Sequence, residues 1–205
     1  MAPTGEAPQE GGSVFATVGT TLFDSLIATL LTPEVLDTLA SLGYRRLVLQ
    51  VGKGAEPPLP AASPLELEWW ATRHIPLRRV CSRGARAHCE PTIALSCRYR
   101  FKPSLDDDMR AASLIISHAG AGSILEGMRL GALMVVVVND ALMHNHQEEL
   151  AGELDARGHL LATVPSALVA TLRELPQRRR GLRPMPAADP RAFGRYLGAK
   201  LGIYE

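Results

Sequence analysis

SHAGAGSILE, residues 117–126, is the stretch that decides the fold, because a strand end, a glycine loop and a helix start fall within it. A short apolar run at 113–116 precedes it, as in a buried strand, and apolar residues after it recur at roughly helical spacing. Gly120 and Gly122 therefore mark a turn from a strand into a helix.

This turn is suited to an anionic ligand. Glycine lacks a Cβ, so the backbone can take positive φ and a ligand can approach it closely. The first N–H groups of the helix point outward at the positive end of its dipole, which favours a phosphate. The loop lacks the Gly-Lys-Ser/Thr ending of a P-loop, and its glycine spacing is not that of the dinucleotide fingerprint. The sequence thus predicts a phosphate site of neither type.

The same residues also allow a purely structural interpretation. In it, the glycines serve only the geometry of a tight turn, Ser123 is the N-cap of the helix, and Glu126 closes a Ser-x-x-Glu capping box. The local sequence leaves both interpretations open.

Length and composition limit the class of protein. A chain of 205 residues with 46% apolar residues can bury a substantial core in one large or two small domains. The net charge of +1 argues against general binding to polyanions, although the segment 73–102 is locally basic.

The cysteines and the apolar segments point to a soluble protein of a reducing compartment. Cys81, Cys89 and Cys97 fit no zinc spacing, so we expect free thiols and no bound metal. The first residues lack the basic and apolar regions of a signal peptide. The longest apolar run, 132–138, is far shorter than the ~20 residues of a membrane span. We therefore expect a cytoplasmic protein.

Strands alternate with helices along the chain, which predicts a doubly wound α/β domain with a parallel sheet. A flexible tail at 1–12 precedes a single domain at 13–205, interrupted by an irregular basic insertion at about 55–98 in which only 95–101 suggests a strand. The expected strands are 14–18, 46–51, 113–117, 133–138 and 159–163, and the expected helices follow Leu22, Pro33, Ser104, Gly122, Asn145, Pro165 and Arg191. Ligands of such sheets bind beyond the carboxyl ends of the strands, where 19–21, 52–54, 118–123 and 139–147 would meet.

Four ordered motifs connect the chain to a known family. FATVGTTLFDSL at 15–26, LVLQVGKG at 47–54, ISHAGAGSILE at 116–126 and NHQEELA at 145–151 carry the match. They resemble the soluble subunit of the UDP-N-acetylglucosamine transferase of dolichol-linked glycan assembly. More distantly, they resemble the C-terminal half of the bacterial peptidoglycan N-acetylglucosaminyltransferase, in family 28 of the glycosyltransferases.

This resemblance implies a Rossmann-like domain equivalent to the C-terminal half of a glycosyltransferase B fold, which binds the nucleotide sugar. The implied reaction adds the second N-acetylglucosamine to N-acetylglucosaminyl-diphosphodolichol, with inversion and without a metal or cofactor. A membrane-anchored acceptor-binding subunit would be the partner and would recruit the chain to the cytosolic face of the endoplasmic reticulum. No residue stands out as the general base, so the catalytic group stays unassigned and could belong to that partner.

The resemblance also implies a donor site. The amides of the glycine loop would hold the diphosphate, Glu126 the ribose hydroxyls, and Gln147 and Glu148 the sugar hydroxyls. Local alternatives stay open: Asn145 and Glu148 could cap a helix, a threonine could cap the first helix, and His118 could be merely hydrogen-bonded in its turn. The expected donor-binding residues are Gly19, Thr20, Thr21, His118, Gly120, Ala121, Gly122, Ser123, Glu126, Asn145, Gln147 and Glu148.

Two regions depart from the family or lack an assigned role. The insertion contains Trp69, Trp70 and many arginines. It could be a surface loop or a loop that contacts a partner or lipid. It could also damage the sheet, which would leave a non-catalytic nucleotide-sugar-binding or regulatory relative. A nucleic-acid binder would rest on its arginines alone, without a recognisable module, and is not expected. The helix at 191–201 has an apolar face that we expect to pack on the core, with docking to the partner as the alternative.

Overall fold

The computed structural model describes residues 11–71, 104–139, 146–186, 189 and 191–202. Their strands form one six-stranded, all-parallel sheet in the order β3-β2-β1-β4-β5-β6. This is the strand order of a doubly wound nucleotide-binding fold, which confirms the predicted fold class. The strands are β1 (Gly12–Thr17), β2 (Tyr44–Gln50), β3 (Glu66–Trp70), β4 (Leu114–His118), β5 (Met134–Val137) and β6 (Leu161–Thr163).

Helices cover both faces of this sheet. Alternate residues of β1 enter two separate apolar clusters, Val14 and Ala16 one and Phe15 the other. The first cluster includes side chains of α1, α2 and α6, and the second those of α3, α4 and α5. The helices are α1 (Asp24–Leu30), α2 (Pro33–Ser41), α3 (Asp106–Ala111), α4 (Ala121–Arg129), α5 (His146–Ala156), α6 (Leu168–Arg178) and α7 (Ala192–Leu201), and 3-10 turns lie at Pro165–Ala167 and Arg179–Gly181.

Local signals located most of these elements. Helix α2 begins with Thr32 as N-cap and Pro33 in its first turn, and the chain leaves it through Gly43 at φ +90. The buried run at 133–138 contains β5, as predicted for a strand of a parallel sheet. The first helix is shorter than its apolar spacing suggested, because Leu22 is exposed and α1 begins only at Asp24.

The Trp69–Trp70 pair corrects the interpretation of the insertion. Residues 66–70 are not irregular but form β3, the edge strand that pairs in parallel with β2. Trp69 and Trp70 are only 6% and 3% exposed, and they enter opposite clusters of the core. These tryptophans therefore do not form an exposed contact loop. Residues 72–103, with the three cysteines and the expected strand at 95–101, lie outside the described part of the chain.

The structure also corrects the expectation that helix α7 packs on the core. Its large apolar side chains, expected in the core, are exposed to solvent. In this helix only Gly198 is buried, so its apolar face does not contribute to either cluster. The exposed side chains are Phe193, Tyr196, Leu197 and Leu201. Throughout the described segments, no helix combines the length and apolarity needed to cross a membrane.

Candidate functional site

The candidate site lies where the order of strands reverses, beyond the carboxyl ends of β1 and β4. These two strands are hydrogen-bonded neighbours, while the chain leaves β1 toward β2 on its other side. Such a switch point leaves a crevice between the outgoing loops, in which ligands of this fold class bind. The loop at 19–21 follows β1, and residues 119–120 lead from β4 into α4.

The N-terminus of α4 supplies unpaired backbone donors at this crevice. Gly120 is the N-cap, and the first helical hydrogen bond runs from Ile124 N–H to Gly120 O at 3.1 Å. The amides of Ala121, Gly122 and Ser123 therefore have no partner within the helix, and the helix dipole adds positive charge there. A Cβ built on Gly122 would meet nothing within 4 Å, so the space beside this glycine is open. The arrangement is suited to an anion.

The capping interpretation of this helix is wrong. Ser123 lies in the first turn rather than at the N-cap, and no side chain caps the helix. Glu126 is exposed one turn further on and does not close a capping box. Its carboxylate is therefore available to a ligand at the surface.

His118 joins the two loops of the crevice. The His118 side chain is 7% exposed, and its ring lies against both glycines. A Cβ added to Gly19 would stand 2.6 Å from the His118 Cε1, and one added to Gly120 would stand 2.2 Å from the His118 Nε2. Burial lowers the pKa of His118 below its usual 6.5, and a weaker interaction with the backbone of Thr17 opposes that shift. Its Nδ1 is buried and makes no hydrogen bond of normal geometry with the described residues. The neutral imidazole is thus a packing element with one unused polar atom.

The threonines of the first loop do not cap a helix, because the N-cap of α1 is Phe23. Thr20 and Thr21 are both exposed. Thr21 Oγ1 donates to Val18 O at 2.8 Å, which fixes the turn. The alternative in which either threonine caps the first helix is therefore wrong.

Gln50 is a residue of this site that the sequence motifs did not single out. It ends β2, is fully buried, and its amide contacts Thr17, Val18 and Gly19 at the end of β1. Within the Leu47–Gly54 motif it reads as one more strand residue, so only its polarity in an otherwise apolar run signalled a special role.

The remaining predicted residues lie at the start of α5, after the next strand. Gln147 is partly buried and Glu148 exposed in the first turn of that helix, and both follow β5 at the same edge of the sheet. Asn145 lies outside the described residues, so its capping alternative stays untested. The described ranges contain no group of three or more His, Cys, Asp or Glu side chains that could hold a metal ion.

Comparisons with known proteins show the family of this chain. A family model described as the glycosyltransferase family 28 C-terminal domain matches residues 80–200. The UDP-N-acetylglucosamine transferase subunit ALG13 of Homo sapiens is 43% identical over 147 residues, which cover 72% of this chain and 10% of that protein. The subunit of the same name from Eremothecium gossypii is 31% identical over 211 residues, covering 96% of this chain and 97% of that protein.

The chain therefore spans about a tenth of the length of the human relative and nearly all of the fungal one. Among solved structures, the NMR solution structure of ALG13 has the same fold, with a TM-score of 0.54 and 24% identity. That match covers 92% of this chain and 96% of the solved one.

Proposed function

The chain belongs to the glycosyltransferase family 28 C-terminal domain family, and from that premise we propose that its carboxyl-edge site binds UDP-N-acetylglucosamine. The chain is then the donor-binding subunit of a heteromeric transferase, as the names of its relatives suggest. The observation that carries this proposal is the N-terminus of α4, with three amides free of helical partners and open space over Gly122.

The proposed reaction adds the second N-acetylglucosamine to N-acetylglucosaminyl-diphosphodolichol, with inversion. The acceptor hydroxyl attacks the anomeric carbon on the face opposite UDP, the bond from that carbon to the diphosphate oxygen breaks, and UDP leaves. Negative charge grows on the diphosphate during this step. The amides of Ala121, Gly122 and Ser123 and the dipole of α4 would stabilise that charge in the role that a divalent cation has elsewhere. The Gly120 amide, also expected to bind the diphosphate, instead donates to His118 O at 2.8 Å.

Other residues of the same edge complete the proposed donor site. The exposed carboxylate of Glu126 would accept hydrogen bonds from the ribose hydroxyls. Gln147 and Glu148, in the first turn of α5, would hold the sugar hydroxyls, while Thr20 and Thr21 lie beside the diphosphate. The proton of the acceptor hydroxyl would go to a base on the partner.

The partner in this proposal is a membrane-anchored subunit that holds the lipid-linked acceptor. It would recruit the chain to the cytosolic face of the endoplasmic reticulum. The exposed apolar face of α7 supports such a complex, because four large apolar side chains on one short helix are costly to leave in water.

Calorimetric titration of the full chain with UDP-N-acetylglucosamine and with UDP-glucose, in the presence of EDTA, tests donor binding. We expect binding without metal and a preference for the N-acetyl sugar. A folded chain that binds neither nucleotide sugar would contradict the proposal.

Transfer to a lipid-linked acceptor is then measured with and without partner-containing membranes, and robust transfer by the chain alone would contradict the need for a partner. Binding without transfer in the complex would point to the non-catalytic relative.

Replacing Glu126 separates a ligand role from a structural one. Glu126→Ala should weaken binding of UDP-N-acetylglucosamine by ~1–3 kcal/mol, the range for a lost charged hydrogen bond, without lowering Tm. The reason is that its carboxylate is exposed and does not cap α4. Calorimetry and thermal unfolding measure the two effects. Glu174→Ala, an exposed glutamate of α6, is the matched control and should change neither. A fall in Tm with unchanged affinity would refute the ribose contact.

A further inference from the structure

Gln50 makes a closed set of hydrogen bonds at the end of β1. Its Oε1 accepts from Thr17 Oγ1 at 2.6 Å and from Val18 N–H at 3.1 Å. Its Nε2 donates to Gly19 O at 2.6 Å. The Thr17 hydroxyl in turn accepts from Gly19 N–H at 3.0 Å. A side chain with no exposed surface thus contacts three successive residues where β1 becomes the loop.

The orientation of this amide is determined by its partners. Val18 N–H can only donate and Gly19 O can only accept. Exchanging the oxygen and nitrogen of the Gln50 amide would therefore place its NH2 against the Val18 N–H and its oxygen against Gly19 O. The buried carboxamide therefore has one workable orientation, and it holds the carbonyl of Gly19 on the β2 side. Gly52 confirms that side, because a Cβ on it would stand 2.9 Å from Gly19 O.

The opposite end of the same peptide unit then has a fixed direction. The described residues contain no cis peptide bond, and in a trans peptide the C=O and the following N–H point in opposite directions. With Gly19 O held toward β2, the Thr20 N–H points away from β2, and β4 is the neighbour of β1 on its other side. Thr20 is exposed, and its N–H donates to no group in the described part of the chain. The crevice in which α4 begins lies on this β4 side of β1.

We propose that Gln50 is a positioning residue, which turns the Gly19–Thr20 peptide so that the Thr20 N–H serves as a donor to the ligand's diphosphate. This inference rests on the proposed function, since it adds a donor on the β1 side to the amides of α4. Gln50 itself does not touch the ligand. Its effect passes through the orientation of one peptide.

The variant Gln50→Glu tests this role through pH. A protonated carboxylic acid can still donate to Gly19 O, as the amide does, whereas a carboxylate can only accept and repels that carbonyl. Burial raises the pKa of such a glutamate, to as much as ~8–9 in known cases, so the change falls within an accessible range. The ratio of variant to wild-type affinity for pyrophosphate should be near one at about pH 5 and fall about tenfold by about pH 9. Taking the ratio at each pH cancels titration of the probe and of His118.

A ¹⁵N NMR titration of the full chain with pyrophosphate provides the second readout. In the wild type, the Thr20 amide should shift together with those of Ala121, Gly122 and Ser123. In Gln50→Leu, which loses all three hydrogen bonds, the Thr20 response should disappear while the α4 amides still respond. Thr17→Val, which removes one member of the network, should weaken binding in the same direction. Thr38→Val removes the hydroxyl of a threonine in α2 that donates to Glu34 O, and this variant should not weaken binding.

The outcomes are decisive even if Gln50→Leu does not fold, because the pH series and Thr17→Val remain. The inference is overturned if the Thr20 amide signal of the wild type does not shift with pyrophosphate. It is also overturned if the ratio of Gln50→Glu to wild-type affinity does not change across the pH range. Failure of UDP-N-acetylglucosamine to bind, while pyrophosphate shifts Thr20, would contradict the proposed function but support the role of Gln50. The two proposals can thus fail separately.

Discussion

His118 shows at the residue scale how its surroundings set the state of one side chain. Its ring fills the space between Gly19 and Gly120. Only glycine fits at those two positions, because the Cβ of any other residue would collide with the ring. The burial that links the loops also lowers the pKa of the imidazole. His118 is thus a neutral spacer between two backbone loops, and its contact with the donor stays a prediction.

This burial predicts a pH dependence of stability. As pH falls, the unfolded chain takes up a proton on His118 near 6.5, while the folded chain does so only at lower pH. The unfolded state then binds more protons, so the free energy of unfolding should decrease below about pH 6.5. Chemical denaturation at several pH values measures this slope, and His118→Gln should remove its part of it.

NMR titration of the ring proton of His118 gives the pKa directly. A value at or above 6.5 would contradict the role of burial.

At the element scale, α4 combines a regular helix with an open N-terminal surface. Gly120 is required by the His118 ring, but Gly122 has no such neighbour, since its missing Cβ faces open space. The helix would tolerate a side chain there. What keeps that surface free, in our proposal, is the ligand.

Gly122→Ala should therefore raise stability and lower affinity together. Alanine in a helix is favoured over glycine by about 0.5–1 kcal/mol, while the new methyl group would occupy the space above the amides. Thermal unfolding and titration with UDP-N-acetylglucosamine measure the two effects. Gly152→Ala in α5, whose Cβ also meets nothing within 4 Å, should stabilise without changing affinity. Equal affinities of the two variants would argue against a ligand over Gly122.

Strand β3 shows how strand pairing buries two adjacent aromatic residues on opposite faces of the sheet. Trp69→Ala or Trp70→Ala should each cost about 3–5 kcal/mol, a large part of the ~5–15 kcal/mol that stabilises a domain. Urea denaturation measures this cost, and Trp→Phe at the same positions should retain most of the stability. Because the chain has only these two tryptophans, its tryptophan fluorescence in the native state reports on β3 alone. An unaffected Tm in both alanine variants would restore the exposed-loop interpretation.

At the scale of the whole molecule, the described residues form a six-stranded sheet, and the apolar side chains of α7 stay exposed. Replacing Phe193 and Leu197 together by serine should leave Tm and donor binding unchanged, because both side chains are exposed. If the proposed function holds, the same variant should lose co-purification with the proposed membrane-anchored subunit and lose the proposed transfer activity. Met185→Ser, another exposed apolar residue, is the matched control and should retain both. Normal complex formation by the double variant would exclude α7 as the docking face.

The sequence by itself determined the fold class, most element positions and the glycine turn into α4, because these depend on local periodicity and on backbone preferences of single residues. Tertiary structure decided what local patterns do not encode. Pairing with β2 turned 66–70 into a strand buried on both faces, and the neighbouring of β1 and β4 brought His118 between two glycines. The same long-range pairing placed Gln50 against the end of β1, where its amide sets the direction of a peptide that is distant in sequence.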